Sequence, residues 1–252
     1  MEIRSVAEKI QLIDVVTAPQ DVASRVLSIR NEEEIREMMY NNGVISENEH
    51  SAWLNKLAAA DDRKFFAVVY DGDVIGGVGM DSIDRVNRRA NWAFYLSKEQ
   101  RGKGLGKALE FRALETFFAG DEINKLNCEV MSFNASVIKL HKQFGFSVEG
   151  TRRAHIRRDV EYCDVVLLGI TASEWRAVRD NIAKGQWSSQ NDPQYYMDLI
   201  DRIQAIRGRN NKNWMDLLRL SFKLSPKEAA QIVSSIYQDD GEISELAKKL
   251  LT

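Results

Sequence analysis

The sequence predicts an α/β fold on a mixed α+β sheet, with an all-helical domain appended at the C-terminus. Three observations carry that expectation. Apolar runs of strand length alternate with amphipathic helical segments as far as residue 170. A glycine-rich basic turn, Gly102-Lys103-Gly104-Leu105-Gly106, stands between one such run and a helix start. From Thr171 onward helix signals continue and strand signals stop.

Residues 10–16 read as the first strand. Residues 25–40 carry a helix signal, with Asn31 as N-cap and Glu34 at the third helical position. Ser46-Glu47-Asn48-Glu49 repeats that device and opens a helix through His50, Trp53 and Leu57. Strands at 65–70 and 74–80 flank Asp71-Gly72-Asp73, a hairpin turn. Trp92-Ala93-Phe94-Tyr95-Leu96 is the next strand. The glycine turn follows, then a helix to Phe118 with Leu105, Leu109, Ala113 and Phe117 on one face. Residues 126–131 form another strand with Glu129 inside it. Asn134 caps a helix that closes at Gly145, a residue suited to a left-handed C-cap. Extended structure resumes at 144–148, and 162–170 is the last strand. The order is β-α-α-β-β-β-α-β-α-β-β, and the first domain is set at residues 1–172.

Residues 173–252 are expected to be the helical extension. Thr171-Ala172-Ser173-Glu174 is a capping box, 186–193 is a polar linker, and helices are read at 195–206, 213–222, 226–237 and 243–251. Trp214, Leu217, Leu218, Phe222, Ile232 and Ile236 offer more apolar surface than one short helix needs, which points to packing or a homodimer.

Composition excludes several classes. With 252 residues, 44% of them hydrophobic, the chain can bury one substantial core and keep residues to spare. A net charge of −2 gives no basic field for nucleic acid or a membrane surface. Cys128 and Cys163 suit a reducing cytosol and are too few for a disulfide framework or a zinc set. No run approaches the length of a membrane span, so a soluble, cytoplasmic protein is expected. His50, His141 and His155 lack partners at ligand spacing, so no metal is expected.

Strand, glycine turn and helix start in that order make an anion site. Glycines let the backbone come close, and the free N–H groups and positive end of the helix face a phosphate. A triphosphate-binding P-loop needs Ser or Thr after Gly106-Lys107, and Ala108 stands there. The G-x-G-x-x-G dinucleotide pattern is also absent. Gln100-Arg101-Gly102-Lys103-Gly104-Leu105-Gly106 instead resembles the Q/R-x-x-G-x-G/A pyrophosphate loop of the GNAT acetyltransferases. The stretch from Asn134 through Ser136, His141 and Gly145 to Phe146 resembles the family's N-x-x-S/A-x-x-x-Y-x-x-x-G-F segment. The resemblance implies a GNAT N-acetyltransferase fold using acetyl-CoA as co-substrate and no metal. It assigns cofactor binding to Leu96, Gln100, Arg101, Gly102, Lys103, Gly104, Leu105, Gly106, Lys107 and Asn134. His141 stands where many members have the Tyr that protonates the departing thiolate. It is read either as that acid or as a ring packed beside the cofactor.

Ile29-Arg30-Asn31, Arg36, Met38-Met39-Tyr40, His50 and Trp53 resemble enzymes that acetylate a UDP-linked 4-amino-4,6-dideoxy sugar. Those enzymes serve pseudaminic acid biosynthesis and flagellin glycosylation. The resemblance implies a nucleotide-linked amino-sugar partner contacted by Arg30, Met39, Tyr40 and Trp53; ordinary helix packing is the other reading of Met38, Met39 and Tyr40. An amine attacks only when unprotonated, so a base is needed. Glu129 is the first choice, because burial in an apolar strand would raise its pKa; an exposed place on a one-sided strand is its other reading. His50 comes second, and Tyr95 can relay through water. The arginines of 85–89 and 152–158 either meet a phosphate or are solvated loop charges. Two other functions stay open at this point. One is a protein N-terminal or aminoglycoside acetyltransferase; the other is a non-catalytic acyl-CoA sensor with a helical interaction domain.

Overall fold

The computed structural model describes residues 3–158, 160–186, 216–217, 219–221, 223–225 and 227–232. The chain forms two compact units, Met1–Ser189 and Gln190–Thr252.

A seven-stranded sheet organises the first unit. β1 (Gln11–Asp14), β2 (Lys64–Tyr70), β3 (Asp73–Asp84) and β4 (Arg89–Leu96) are antiparallel neighbours in chain order. β5 (Lys125–Met131) lies parallel to β4, and β7 (Glu161–Thr171) is inserted between β5 and β6 (Ser147–Arg158). The β4–β5 ladder is short. Arg89, Ala90 and Asn91 face Lys125, Leu126 and Asn127, and pairing stops there. β4 stays paired to β3 as far as Leu96, and β5 stays paired to β7 as far as Met131. The sheet therefore opens between residues 92–96 and 128–131.

On one face lie α1 (Ile3–Ala7), α5 (Leu105–Phe117), α6 (Ala135–Gln143) and α7 (Ala172–Ala183), around a core that includes Trp92, Leu109, Leu114, Phe144 and Trp175. Eight of the thirteen residues of α5 are buried, so this helix is core on nearly every side and not a one-striped surface helix. On the other face lie α2 (Gln20–Arg30), α3 (Glu33–Arg36) and α4 (Glu47–Ala58), over a smaller cluster of Val15, Ala23 and Leu57 with Trp53 and Phe65 against it. Gly77 and Gly79 of β3 make room there. A Cβ on either would stand 2.5 Å and 2.7 Å from Phe65 ring atoms.

The local signals that held are the strong ones. Ser46 and Glu49 form a reciprocal capping box at α4, and Thr171 and Glu174 form another at α7. Asn134 accepts from the Val137 N–H at the start of α6, and Gly145 closes that helix at φ 95°.

Three readings are corrected. The helix expected at 25–40 is two helices, α2 beginning earlier at Gln20 and α3 a single turn. Asn31 ends α2 and caps nothing; its side chain bonds both the N–H and the carbonyl of Ile45 instead. β6 runs through Arg158, far beyond residue 148, because its arginines are carried as an exposed edge strand and bury no apolar face. α7 had been given to the extension, yet Trp175, Ile182 and Ala183 are buried in the first unit's core.

In the second unit, residues 216–217, 219–221, 223–224 and 227–232 are helical, and the Ser225 hydroxyl donates to Glu228 at 2.8 Å. The helices expected at 195–206 and 243–251 lie outside the described residues, as do Trp214, Leu218, Phe222 and Ile236. No helix among the described residues is long and apolar enough to cross a membrane.

Candidate active site

The opening between β4 and β5 continues into a cleft of about 490 Å³ whose far end is the glycine turn. Leu96, Gln100, Arg101, Gly102, Gly106 and Asn134 stand on its wall. Gly102 and Gly104 take φ 76° and 79°, in the left-handed region where a side chain is strained. Gly104 is the N-cap of α5 and brings no side chain to the cap, so the first-turn N–H groups of the helix are offered to an external acceptor. A Cβ on Gly102 or Gly104 would meet nothing within 4 Å, so the space above the turn is open. These features fit the pyrophosphate of CoA. The turn is braced from the other face of the sheet. Glu32 accepts the Ser97 hydroxyl at 2.9 Å and the Lys98 N–H at 2.8 Å; Lys98 pairs with Glu34, and Arg101 donates to the Glu34 carbonyl at 3.3 Å.

A second cavity, about 540 Å³, lies under α2 and α4. A chain of rings walls it: His50 stacks on Trp53 at 5.3 Å, Trp53 meets Phe65 edge-on at 5.2 Å, and Phe65 lies 6.2 Å from Tyr95. Arg30 also lines it. Its Nη2 donates to the Asn41 carbonyl at 2.9 Å, and its buried Nη1 has no partner. Burial lowers the Arg30 pKa, the nearby Tyr95 phenol opposing this. Arg63 and Lys64 add positive charge to the lining. Of its two carboxylates, Glu49 is committed to the Ser46 capping box, and Asp81 accepts from Ser82 and Asn91. Met39, Ala93 and Tyr95 line both cavities, so the two meet at the outer half of β4.

The catalytic candidates are dispersed around this junction. Tyr95 is central, and burial pushes its phenol pKa up. His50 is buried, with Nε2 donating to the Ala23 carbonyl at 3.1 Å; burial lowers its pKa, so the ring is neutral at neutral pH. Of the two readings of Glu129, the structure takes the exposed one. The residue lies on the exposed side of β5 and is held by Arg152, whose Nη1 stands 2.8 Å from both carboxylate oxygens, and by the Tyr40 hydroxyl. Burial raises the Tyr40 pKa, with Glu129 adding to it. Tyr40, 45% exposed, thus reaches the donor cleft through Glu129 and does not line the acceptor cavity. His141 lines the donor cleft at 3% exposure, Nδ1 2.8 Å from a Glu110 oxygen.

Other expected residues fall outside the cavity walls. Leu105 is buried in the core, and Lys103 bonds the Gln100 side chain at 3.3 Å. Gly104 caps α5 and Lys107 lies in the first turn of that helix; neither lines the cleft. In the arginine clusters, Arg85, Arg88 and Arg89 pair with Asp61, Asp121 and Asp84, while Arg152 holds Glu129 and Arg158 donates to the Met39 carbonyl. Among the described residues no group of His, Cys, Asp and Glu is placed to hold a metal. Sequence reasoning missed Phe65, Cys128 and Glu110. For Glu110 a signal existed, since it sits between Leu109 and Phe111 in a helix too apolar to leave it a wet face.

The sequence profile described as the acetyltransferase (GNAT) domain matches residues 16–167. The chain belongs to the GNAT acetyltransferase family. This GNAT chain is 31% identical over 130 residues to the prophage-derived uncharacterized N-acetyltransferase YokL of Bacillus subtilis, covering 52% of this chain and 73% of that one. It is 26% identical over 119 residues to the acetyltransferase PseH of Campylobacter jejuni, covering 47% and 73%. Its fold matches the spermidine N-acetyltransferase of Vibrio cholerae, solved with CoA and spermine, at TM-score 0.62 and 22% identity over 67% of this chain and 99% of the other. The chain is therefore an acetyl-CoA-dependent N-acetyltransferase.

Proposed function

We propose that this enzyme acetylates the primary amine of a nucleotide-linked amino sugar, of the UDP-4-amino-4,6-dideoxy-N-acetylhexosamine type, by direct transfer in a ternary complex. The observation that carries this reading is Arg30: a half-buried guanidinium whose buried Nη1 has no partner, on the wall of an aromatic cavity. Such a group is completed by an anionic acceptor, and the His50, Trp53 and Phe65 rings supply faces for a flat base. A polyamine acceptor is drawn by carboxylates instead, and the cavity's two, Glu49 and Asp81, are outnumbered by Arg30, Arg63 and Lys64. The sequence likeness to UDP-sugar enzymes supports the same class. Both cysteines are free thiols, in keeping with a cytoplasmic setting. The catalytic domain is taken to extend through α7, with the remainder a separate helical extension that can pair two copies.

Bound acetyl-CoA supplies an activated acetyl thioester at the junction of the two cavities. The protein's part is to hold both substrates there, which replaces a bimolecular encounter by a positioned one. Neutral His50 on the acceptor wall takes the amine proton, directly or through a water that Tyr95 relays. Glu129, tied to Arg152 and Tyr40, orders the edge of the donor cleft.

Thiol release from acetyl-CoA with the UDP-amino sugar, beside spermidine, kanamycin and a peptide amine, tests this. Turnover with the sugar alone is the expected result. Efficient turnover with spermidine and none with the sugar would overturn the acceptor class.

A further inference from the structure

Glu110 and His141 form a buried pair on the donor side that the steps above leave unused. Glu110 is in the second turn of α5, fully buried at 0% exposure, with Oε2 lacking any partner. Its Oε1 stands 2.8 Å from His141 Nδ1. The imidazole cannot swing away, because Trp92, Phe94 and Phe146 pack around it with centroids 5.4, 6.0 and 5.0 Å distant. The titratable groups facing it are Glu110 from α5 and the Cys128 thiol from β5; β4 and the segment after α6 offer only aromatic rings. His141 and Cys128 both line the donor cleft. In the register of the β4–β5 ladder, Cys128 is the first β5 residue past the last paired position, beside the junction at Ala93.

We propose that Glu110 is a positioning residue for the transfer: it fixes one proton on His141 Nδ1, so that Nε2 presents a second proton to the CoA sulfur as the thioester breaks. The inference rests on direct transfer from acetyl-CoA and is independent of which amine accepts. The amine nitrogen forms its bond to the acetyl carbon, and the C–S bond breaks with its electron pair going to sulfur. The Nε2 proton passes to that sulfur, giving the free thiol of CoA. His141 is left neutral, still donating from Nδ1 to Glu110, and is reprotonated from solvent. The proton lost by the amine leaves on the acceptor side. A buried carboxylate holding an imidazole in one tautomer is the general arrangement for such proton delivery. Burial is the largest single effect and lowers the basicity of the ring, but Glu110 and the Cys128 thiol together outweigh it and raise His141 to about 10, so the proton is present at neutral pH.

The test uses the full chain carrying Glu110→Gln or Glu110→Asp. Glu110→Gln keeps the shape and removes the charge. Its kcat with acetyl-CoA should fall about 10- to 100-fold, the range of general acid catalysis, and the alkaline limb of its pH profile should move toward neutral. With the acetyl thioester of an acidic aryl thiol, which leaves without a proton, the loss should be less than about threefold. Glu110→Asp should recover part of the rate. Equal loss with both thioesters, or none with either, would overturn the proposal. Should Glu110→Gln fail to fold, the nitrogen shifts of His141 in the wild-type protein decide: a doubly protonated ring through pH 8 supports the assignment, and a neutral ring protonated at Nε2 alone overturns it. Absence of turnover with every amine would sink the transfer reading of the site without touching that titration.

Discussion

Gly104→Ala isolates what the pyrophosphate turn asks of its backbone. At φ 79° a Cβ costs about 1–2 kcal/mol, and nothing lies within 4 Å of the added atom, so no clash adds to that strain. The turn is exposed, and the free protein can relieve the strain by moving to another conformation. The penalty then falls due when the donor binds and the turn must re-form. At 1.4 kcal/mol per tenfold, the Kd for CoA should rise about 5- to 30-fold while the melting temperature moves by less than about 2 °C. Gly102→Ala, at φ 76° and equally open, should behave alike. Gly106→Ala is the control: its φ is ordinary and its Cβ would meet only Leu140 at 3.8 Å, so binding should change less than about threefold. Titration calorimetry with CoA, beside thermal melts, reads both quantities. A Gly104→Ala protein that binds CoA like wild type, or one that melts several degrees lower with affinity intact, would refute the reasoning.

Gly76→Ala should be far worse for the fold than either turn variant, because its Cβ would stand 2.1 Å from the Tyr95 carbonyl oxygen; a loss of about 3 kcal/mol or failure to accumulate as soluble protein is expected. Ser46→Ala removes the α4 capping box and should cost about 0.5–2 kcal/mol, read as a fall of a few degrees in the melt. The His141–Glu110 pair predicts an alkaline slope. The folded-state pKa of His141 lies above its ordinary 6.5, at about 10, so its contribution is complete below 6.5 and is lost as pH rises through 10. A His141→Asn, Glu110→Gln double variant should lose this slope in melts from pH 6 to 10, and an unchanged slope would refute the assignment. Ending the chain after residue 172 removes buried Trp175 and Ile182 and should abolish cooperative unfolding, whereas ending it after residue 186 should preserve it.

The sequence disclosed the elements whose signals are local. Capping boxes at Ser46 and Thr171, the glycine turn and the Asp71-Gly72 hairpin each depend on residues within a few positions of one another. It hid what depends on distance. Nothing near Asn31 announces that its amide is satisfied by Ile45, so a helix boundary looked like a cap. Glu129 looked buried because its neighbours Cys128 and Val130 are, yet alternation along β5 turns it to the other face, where Arg152 waits. The donor loop could be read from its glycines. The acceptor cavity could be read only in part, since Phe65 and the shared position of Ala93 follow from strand register and not from any motif.

The braces on segment 32–46 restrict how this enzyme could change its preference over evolutionary time. Glu32 and Glu34 grip the donor turn, and a few residues later Met39, Asn41 and Ile45 wall the acceptor cavity. An insertion or substitution that reshaped the cavity from this side would also loosen the hold on CoA. Trp53 and Leu57 on α4, with Arg63 and Lys64 beside them, line the acceptor cavity alone. New substrates are therefore accommodated most cheaply from the α4 wall, and it is there that close relatives with different acceptors should have diverged.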